Sequence, residues 1–461
     1  MMESKVEAAV GMSRKWDARD AGREVAETAI RNLTLPPDFF LLFSTIHYEK
    51  YGGFQEFLSG VWDVLPKDTP LVGGTVTGFI NNYGCFSRGA SALAVSYPCM
   101  DVAVGVGKNT KRNPNRAAKQ YAEMIQNGLK ESPYKNKFLL NFISGPVVPS
   151  IPGVGQKKYI RSGFVSKFAM QALNLSQALI QKGLGREDEI FEETVKQLPG
   201  YQMILGTSMD DHRGINNYQF FNDKILTNAV VNLALATDID LGVCTTHGMK
   251  ETDLHFTITK LGVQNHAICK INDKPAVPEL LRLLHWPEGF LSEETMMHTL
   301  LYYPISLKRN GRAVPVVMPL IMKDSIVVPC IIDDGEVSIL TVSGKDLINA
   351  VKENLHFFDE IQPEFGLFSA CMTILQTLGD KTNIVQEELC KYFKDKSFLL
   401  FYSAGEGTYS PTKDITYANM SFNTAVFGHK TSMNSNSFSK FIEKEKSSQD
   451  NILIEGGSKF I

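Results

Sequence analysis

The sequence predicts a mixed α/β chain: two sheet-containing domains with flanking helices, and glycine-ended strands at a shared cleft. Three observations carry that prediction. Apolar runs of strand length alternate with segments of helical spacing, the order of a βαβ unit. The chain has 461 residues, more than one ordinary core holds, so two domains or three are expected. Three apolar runs end abruptly in glycine and small polar residues, at Leu71–Gly78, Met203–Asp211 and Leu399–Gly407. Each reads as a buried strand stopping at a tight turn, because glycine permits positive φ and close approach of another chain or a ligand. Recurring strand ends with uncovered backbone amides predict a binding cleft.

The elements follow in order. Asp17 or a neighbour starts a helix in which Ala18, Ala21, Val25, Ala29 and Leu33 recur at helical spacing, and Pro36-Pro37 stops it. Phe39–Phe43 reads as a central strand buried on both faces. Phe54, Phe57, Leu58, Val61 and Leu65 mark a second helix, and the first glycine-ended strand completes a βαβ unit. Ala90–Val95 and Val102–Val106 alternate as strands around a turn at Tyr97-Pro98. A helix near 115–130, a strand at Phe138–Ile143, a Pro/Gly loop over 144–155 and one or two helices within 164–198 precede the second glycine-ended strand. Tyr218–Phe221 and Ile225–Leu235 read as a hairpin across Asn222-Asp223.

The later half is richer in strands. His255–Lys260 alternates, and Ala267–Ile271 runs into an Asn272-Asp273 turn. A helix is expected at Val277–Leu284 and a strand at Val314–Val317. Asp333-Asp334-Gly335 predicts a hairpin joining Ile326–Ile332 to Val337–Leu340. A capped helix from Ser343, a strand at Phe365–Ser369, a helix at Asn383–Phe393 and the third glycine-ended strand carry the fold to Gly428. The expected organisation is an N-terminal helix packing on the first domain (1–34), domains over 35–237 and 238–428, and a polar, mobile tail over 429–461. No repeat of fixed period is present.

Composition narrows the function. Apolar residues at 43% and charged residues at 21% are those of a soluble globular protein. A net charge of −3 gives no broad nucleic-acid surface, and the basic stretch Lys108–Arg112 lacks aromatics and reads as a solvated loop. The 7 cysteines are scattered without a CxxC pair, a reducing-compartment pattern that implies a cytoplasmic protein. The charged, polar stretch Met1–Arg14 holds no secretory signal, and no run of about 18 apolar residues predicts membrane insertion.

Each candidate chemistry has an ordinary reading beside it. The 9 histidines form no metal-ligand pair; His247 and His255 read as surface or core histidines. Haem needs one axial histidine and an apolar pocket, for which His47, His212 and His247 are candidates, each alone reading as a loop histidine. Cys371 sits where a helix begins, a position that lowers a thiol pKa, although its apolar neighbours suit a buried cysteine. Gly153–Lys158 lacks the ending of a phosphate loop. Asp210, Asp211 and Glu406 lie in the glycine turns, where they suit either turn chemistry or the ammonium group of a zwitterion such as an amino acid.

The order of these motifs resembles the FIST family of sensory domains. Trp16–Ala29 is similar to that family's opening helix, Pro37–Ser44 to its first strand, Val72–Gly78 to its glycine turn, and Gly206–Asp211 with Tyr218–Phe220 to its second signature. Ile268–Ala276, Gly366–Cys371, Ser403–Gly407 and Asn419–Phe422 resemble segments of its C-terminal half. The arginine expected just after Cys371 is replaced by Met372-Thr373-Ile374, which puts an altered ligand in view. The resemblance implies a non-enzymatic, cytoplasmic sensor that binds a small metabolite such as an amino acid and signals to a separate protein. Its expected ligand-binding residues are Gly73, Gly74, Thr75, Thr77, Gly206, Thr207, Ser208, Asp210, Asp211, Gly405 and Glu406, with no metal and no cofactor. The alternatives are a haem-binding sensor of nitric oxide or another gas, an interaction platform without ligand, and an enzyme using Cys371 or the Asp210/Asp211 carboxylates.

Overall fold

A computed structural model describes residues 5–150, 155–262, 264–292, 295, 299–300, 302–309 and 312–431, and over them one topological unit recurs three times. The first unit runs β1 (Glu7–Ser13), α1 (Ala18–Ile30), β2 (Phe39–Ser44), α2 (Gly53–Trp62), β3 (Leu71–Thr75), the hairpin β4 (Gly78–Asn81) and β5 (Gly84–Phe86), then β6 (Ala90–Ser96). The second runs β7 (Met100–Lys108), α3 (Pro114–Gly128), β8 (Asn136–Ser144), β9 (Tyr159–Ile160), α4 (Gly163–Leu179), α5 (Glu187–Gln197) and β10 (Gln202–Ser208). It closes with the hairpin β11 (Gln219–Phe221) and β12 (Lys224–Leu226), then β13 (Ala229–Thr237).

The third unit opens on β14 (Asp240–Thr246) and is interrupted by an insertion. The insertion comprises β15 (Met249–Gly262), β16 (Ala267–Ile271), β17 (Lys274–Pro275), α6 (Ala276–Leu283), β18 (Ile305–Arg309), β19 (Arg312–Val316), β20 (Leu320–Met322), β21 (Ser325–Val327) and β22 (Gly335–Val342). The unit resumes with α7 (Gly344–His356), β23 (Ile361–Cys371), α8 (Met372–Leu378), α9 (Thr382–Phe393), β24 (Ser397–Ser403), the hairpin β25 (Glu406–Ser410) and β26 (Lys413–Ala418), and β27 (Phe422–Lys430).

Three six-stranded sheets share one plan: β1-β6-β2-β3-β11-β12, β7-β13-β8-β10-β25-β26 and β14-β27-β23-β24-β4-β5. In each, only the middle pair is parallel (β2 with β3, β8 with β10, β23 with β24), as a helical crossover requires. The last two strands of each sheet come from another unit. The first unit's hairpin extends the third sheet, the second unit's extends the first, and the third unit's extends the second. The insertion forms most of a separate nine-stranded sheet that also takes in β9.

The inner faces of the three sheets meet in one apolar core. At its centre Phe43 of β2 stacks on Phe401 of β24 at 4.4 Å, and Phe142 of β8 meets both edge-on at 5.2 and 5.6 Å. Each outer face has its own cover: α1 and α2 over the first sheet, α3, α5 and the insertion over the second, α7 to α9 over the third. The helices α1 and α2 cross closely because both lack a side chain at the crossing. A Cβ on Gly22 would lie 2.0 Å from the Phe57 carbonyl oxygen, and one on Gly60 2.0 Å from that of Arg19.

Several local expectations hold. Asp17 caps α1 by accepting from Asp20 N, Ser343 caps α7 by accepting from Asp346 N, and Asn272 and Asp273 take φ of 50° and 63° in the β16–β17 turn. Others are corrected. The polar N-terminal stretch contains β1, whose run Glu7–Ser13 pairs along its whole length with β6. The expected hairpin of 218–235 breaks at Asn228 (φ 51°), leaving β12 in the first sheet and sending β13 into the second. Asp333-Asp334-Gly335 joins no hairpin, because β21 pairs with β16 and β20 while β22 pairs with β15 and β18. Pro329 has no N–H for a ladder, and the Ile331 N–H donates instead to Asp188 Oδ2 at 2.8 Å. Of the expected tail, residues 432–461 lie outside the described residues, and β27 runs to Lys430.

Candidate functional site

The three parallel pairs end in register on small residues: Ser44 opposite Thr75, Ser144 opposite Ser208, and Cys371 opposite Ser403. The turns after β3, β10 and β24 then interlock. Thr77 N donates to the Tyr402 carbonyl at 3.1 Å and Thr77 Oγ1 to the Asp210 carbonyl at 3.1 Å. Met209 N donates to the Thr75 carbonyl at 2.8 Å, and Ala404 N and Gly405 N both donate to Thr207 Oγ1, at 2.9 and 3.1 Å. Thr75, Thr77, Thr207, Asp210 and Gly405 are thus brought together, but the amides named here are bonded rather than uncovered. The glycines serve packing: a Cβ on Gly73 would lie 1.8 Å from the Leu42 carbonyl oxygen, on Gly74 2.2 Å from that of Tyr218, and on Gly206 2.3 Å from the Phe401 ring.

The carboxylates of these turns face inward or outward, with no common focus. Asp210 is tied to its own turn, Oδ1 accepting from Arg213 N and Gly214 N at 2.9 Å each and Oδ2 from Ile215 N at 2.7 Å. Asp211 is exposed. Glu406 is fully buried and accepts from Ser403 Oγ at 3.0 Å, with the Cys371 thiol also against its carboxyl. Burial raises its carboxyl well above the ordinary range, which favours the protonated form. Burial and the neighbouring Glu406 also push the Cys371 thiol up, which fits the ordinary reading of a buried cysteine and not a thiol lowered at the start of a helix. A buried site is too costly for the thiolate.

Beside Gly405 lies Glu187, the first residue of α5. It is fully buried, and Tyr417 Oη donates to Oε1 at 3.1 Å. Burial, with Asp188 adding to it, pushes this carboxyl up to about 7 from 4.5. The folded chain therefore keeps a proton that the unfolded chain releases, and stability falls as pH rises from 4.5 to about 7. Glu187→Gln is expected to remove a slope on the order of 3 kcal/mol across that interval. Urea midpoints at pH 5 and 7.5 check it; an unchanged slope in the variant refutes the assignment to Glu187.

Open space lies nearby, at the end of the β8/β10 pair. A half-open cleft of about 180 Å³ is bounded by Ser144 from β8, Ile180, Gln181 and Lys182 from the end of α4, Ile215 to Tyr218 before β11, and Thr227-Asn228 between β12 and β13. Under its floor runs the side chain of Lys111, fully buried, whose Nζ donates to Ser144 Oγ at 2.9 Å and to Asn228 Oδ1 at 3.0 Å. Asn217 Oδ1 accepts from Ser144 Oγ at 3.1 Å and from Ser208 Oγ at 2.8 Å, and Gln219 Nε2 bonds both Ser208 and Asn217. Burial draws the Lys111 ammonium down to about 7, opposed by the field of Glu187.

Of the expected site residues, Ser208 is the one that joins this network directly. Lys111, Ser144, Asn217 and Asn228 are additions from the structure. The basic stretch 108–112 is corrected in part: Lys108 and Arg112 are solvated, whereas Lys111 is inside. No signal in the sequence marks it: Lys111 stands three residues before Pro114, the first residue of α3, among other basic residues.

The candidate histidines belong to separate places. His47 lies among Trp16, Tyr48 and Tyr51, its Nδ1 bonded to Thr45 Oγ1 at 2.7 Å, and burial lowers it to about 4. His212 and His247 are also lowered by burial. Among the described residues, no three His, Cys, Asp or Glu side chains are placed to hold a metal ion. Residues 151–154, which include Gly153 of the glycine pair but not Gly155, lie outside the described residues.

The profile of the FIST N domain matches residues 38–274, from β2 through the first two units into the insertion. The chain belongs to the FIST family, whose sensory domains serve signal transduction and small-ligand binding. No curated protein matches it. Among solved structures it is similar to cyanuric acid hydrolase from A. caulinodans, at 9% identity over 93% of this chain and 100% of that one, with a TM-score of 0.35. PurLQS from Thermotoga maritima aligns at 11% identity over 92% of this chain and 72% of its own, with a TM-score of 0.18. Neither likeness is close enough to carry a functional argument. Among the described residues no helix is long and apolar enough to cross a membrane.

Proposed function

We propose that this chain senses a small polar metabolite, of the size and kind of an amino acid, bound in the cleft over Ser144, Asn217 and Asn228. The observation that supports it is the cleft's position and lining. It lies at the carboxyl ends of a parallel strand pair, where α/β sheets bind ligands. Its volume of about 180 Å³ falls below the roughly 300–1,000 Å³ of drug-sized pockets. Gln181, Asn216, Asn217 and Asn228 give it a polar lining, part of whose amide capacity is already bonded within the protein, and Lys182 adds a cation to that lining for a carboxylate.

Relay to a separate signalling protein runs through α4. The end of that helix forms one wall of the cleft, and Arg112 holds its last carbonyls, Ala178 and Leu179, at 2.6 and 2.7 Å. The outer face of the helix presents Phe164, 85% exposed, and Leu175 and Leu179, each 61% exposed. A ligand that shifts the end of α4 therefore changes an apolar surface offered to a partner.

Thermal-shift and calorimetric titration with a panel of amino acids and related metabolites tests the reading. A true ligand at a hundred times its Kd stabilises the chain by about 2.7 kcal/mol. Lys182→Ala is expected to weaken that ligand about tenfold, one lost charge-assisted contact. Silence across the panel, or a shift that Lys182→Ala leaves untouched, overturns the site.

A further inference from the structure

We infer that the same cleft carries a nucleophile: Ser144, with Lys111 as its proton acceptor and Asn228 holding Lys111 in place, takes up the acyl group of a small ester or amide. The inference shares the cleft with the sensor reading but does not depend on a sensory role.

Three observations meet at Ser144. Its Oγ is 2.9 Å from Lys111 Nζ, within the reach a serine needs from its base. Lys111 is in turn oriented by Asn228 Oδ1 at 3.0 Å, so nucleophile, base and orienting group stand in line. Ser144, only 1% exposed, is among the residues that line the cleft, so the cleft is the side from which an acyl carbon would reach Oγ.

The surroundings of Lys111 suit a base rather than an ion. Among the described residues no carboxylate pairs with Nζ; its bonded partners are a hydroxyl and an amide oxygen, both neutral. A fully buried ammonium with no bonded counter-ion favours the free amine, and here burial, outweighing the opposing field of Glu187, brings it to about 7, where a large share is free at neutral pH. A structural lysine would be better served by methionine at that depth, since an unpaired buried charge is costly.

The chemistry balances without a further cofactor. The Ser144 hydroxyl turns from Asn217 Oδ1, where it rests at 3.1 Å, towards Lys111 Nζ. Its proton passes to the amine as Oγ bonds the acyl carbon. The bond from that carbon to the leaving oxygen or nitrogen then breaks, and the Lys111 ammonium returns the proton to the departing alcohol or amine. Water entering from the cleft attacks the acyl-serine, again giving its proton to Lys111. The acid departs, and the proton returns to Ser144. The cleft's volume limits the acyl group to a short one.

The test uses the full chain and p-nitrophenyl acetate. The expected result is a burst of p-nitrophenolate approaching one equivalent per chain, with one acetyl group mapped by peptide mass to Ser144. Ser144→Ala abolishes both the burst and the acetyl group. Lys111→Met, which fills the same space, slows acetylation at least a hundredfold, the lower bound for a lost general base. Asn228→Ala is the second variant should Lys111→Met fail to fold, with a smaller slowing and acetylation still at Ser144. Circular dichroism verifies folding of each variant. Absence of a burst, an acetyl group elsewhere than Ser144, or equal rates in the folded Lys111 or Asn228 variant and the parent overturns the assignment. Because the parent chain is probed without any metabolite, failure here leaves the sensor reading standing, and silence in the metabolite panel leaves the nucleophile standing.

Discussion

Gly73→Ala is expected to destabilise the chain by more than about 3 kcal/mol, beyond the usual cost of overpacking. Its Cβ would sit 1.8 Å from the Leu42 carbonyl oxygen, 2.7 Å from the Leu42 carbonyl carbon and 3.0 Å from the Leu42 nitrogen. These are backbone atoms of the adjacent parallel strand, so no side-chain rotation relieves the contact. Gly73 is paired with Leu42 on one side and with Phe220 on the other, which leaves β3 no direction in which to move. Gly200→Ala is the matched control: nothing lies within 4 Å of its added Cβ, and a change within about 0.5 kcal/mol is expected. Urea midpoints of the two variants decide the matter. Equal stability of the Gly73 variant and the parent would mean that β2 and β3 do not lie this close.

Phe401→Ala is expected to cost about 3–5 kcal/mol, the range for deleting a buried aromatic ring. Phe401 is fully buried on β24, stacked on Phe43 and edge-on to Phe142, and its ring fills the space left by Gly206. The effect should reach all three sheets at once, because these rings come from one strand of each. Phe43→Ala in the same chain is expected to add less than its separate cost, since the two rings share one contact. Denaturation of the single and double variants checks both numbers. Full additivity would show that the rings do not pack on each other.

Much of the local structure was legible in the sequence. Asp17, Pro36-Pro37 and Ser343 mark helix ends by capping chemistry that depends on a few adjacent residues, and Asn272-Asp273 supplies the positive φ of a tight turn. The three glycine-ended strands were also visible, and they occupy corresponding places in the three units. What they join was not visible, because a turn's sequence specifies how the chain bends, not which sheet receives it. Gly405-Glu406-Gly407 opens a hairpin whose partner is β10, some two hundred residues earlier in register at Leu205. Nothing local encodes that pairing, nor the split at Asn228 between two sheets. Lys111 was hidden for a related reason. Flanked by Lys108 and Arg112, it has the company of solvated residues, and only the three-dimensional path of the β7–α3 connection takes it inside.

The exchanged hairpins bear on how the molecule comes into being. No unit can finish its own sheet, so the ring of three closes only when the last unit arrives. Asn82, at the tip of the first unit's hairpin, accepts from the Phe398 N–H, 316 residues further along. At about 5–20 residues per second of synthesis, that hairpin waits roughly 15–60 s for its partner strand to be made. During that interval it is an open edge, a template for the wrong strand. β5 answers the hazard by brevity, with 3 residues. The architecture that gives the finished chain one shared core thus leaves the nascent chain dependent on its final strands.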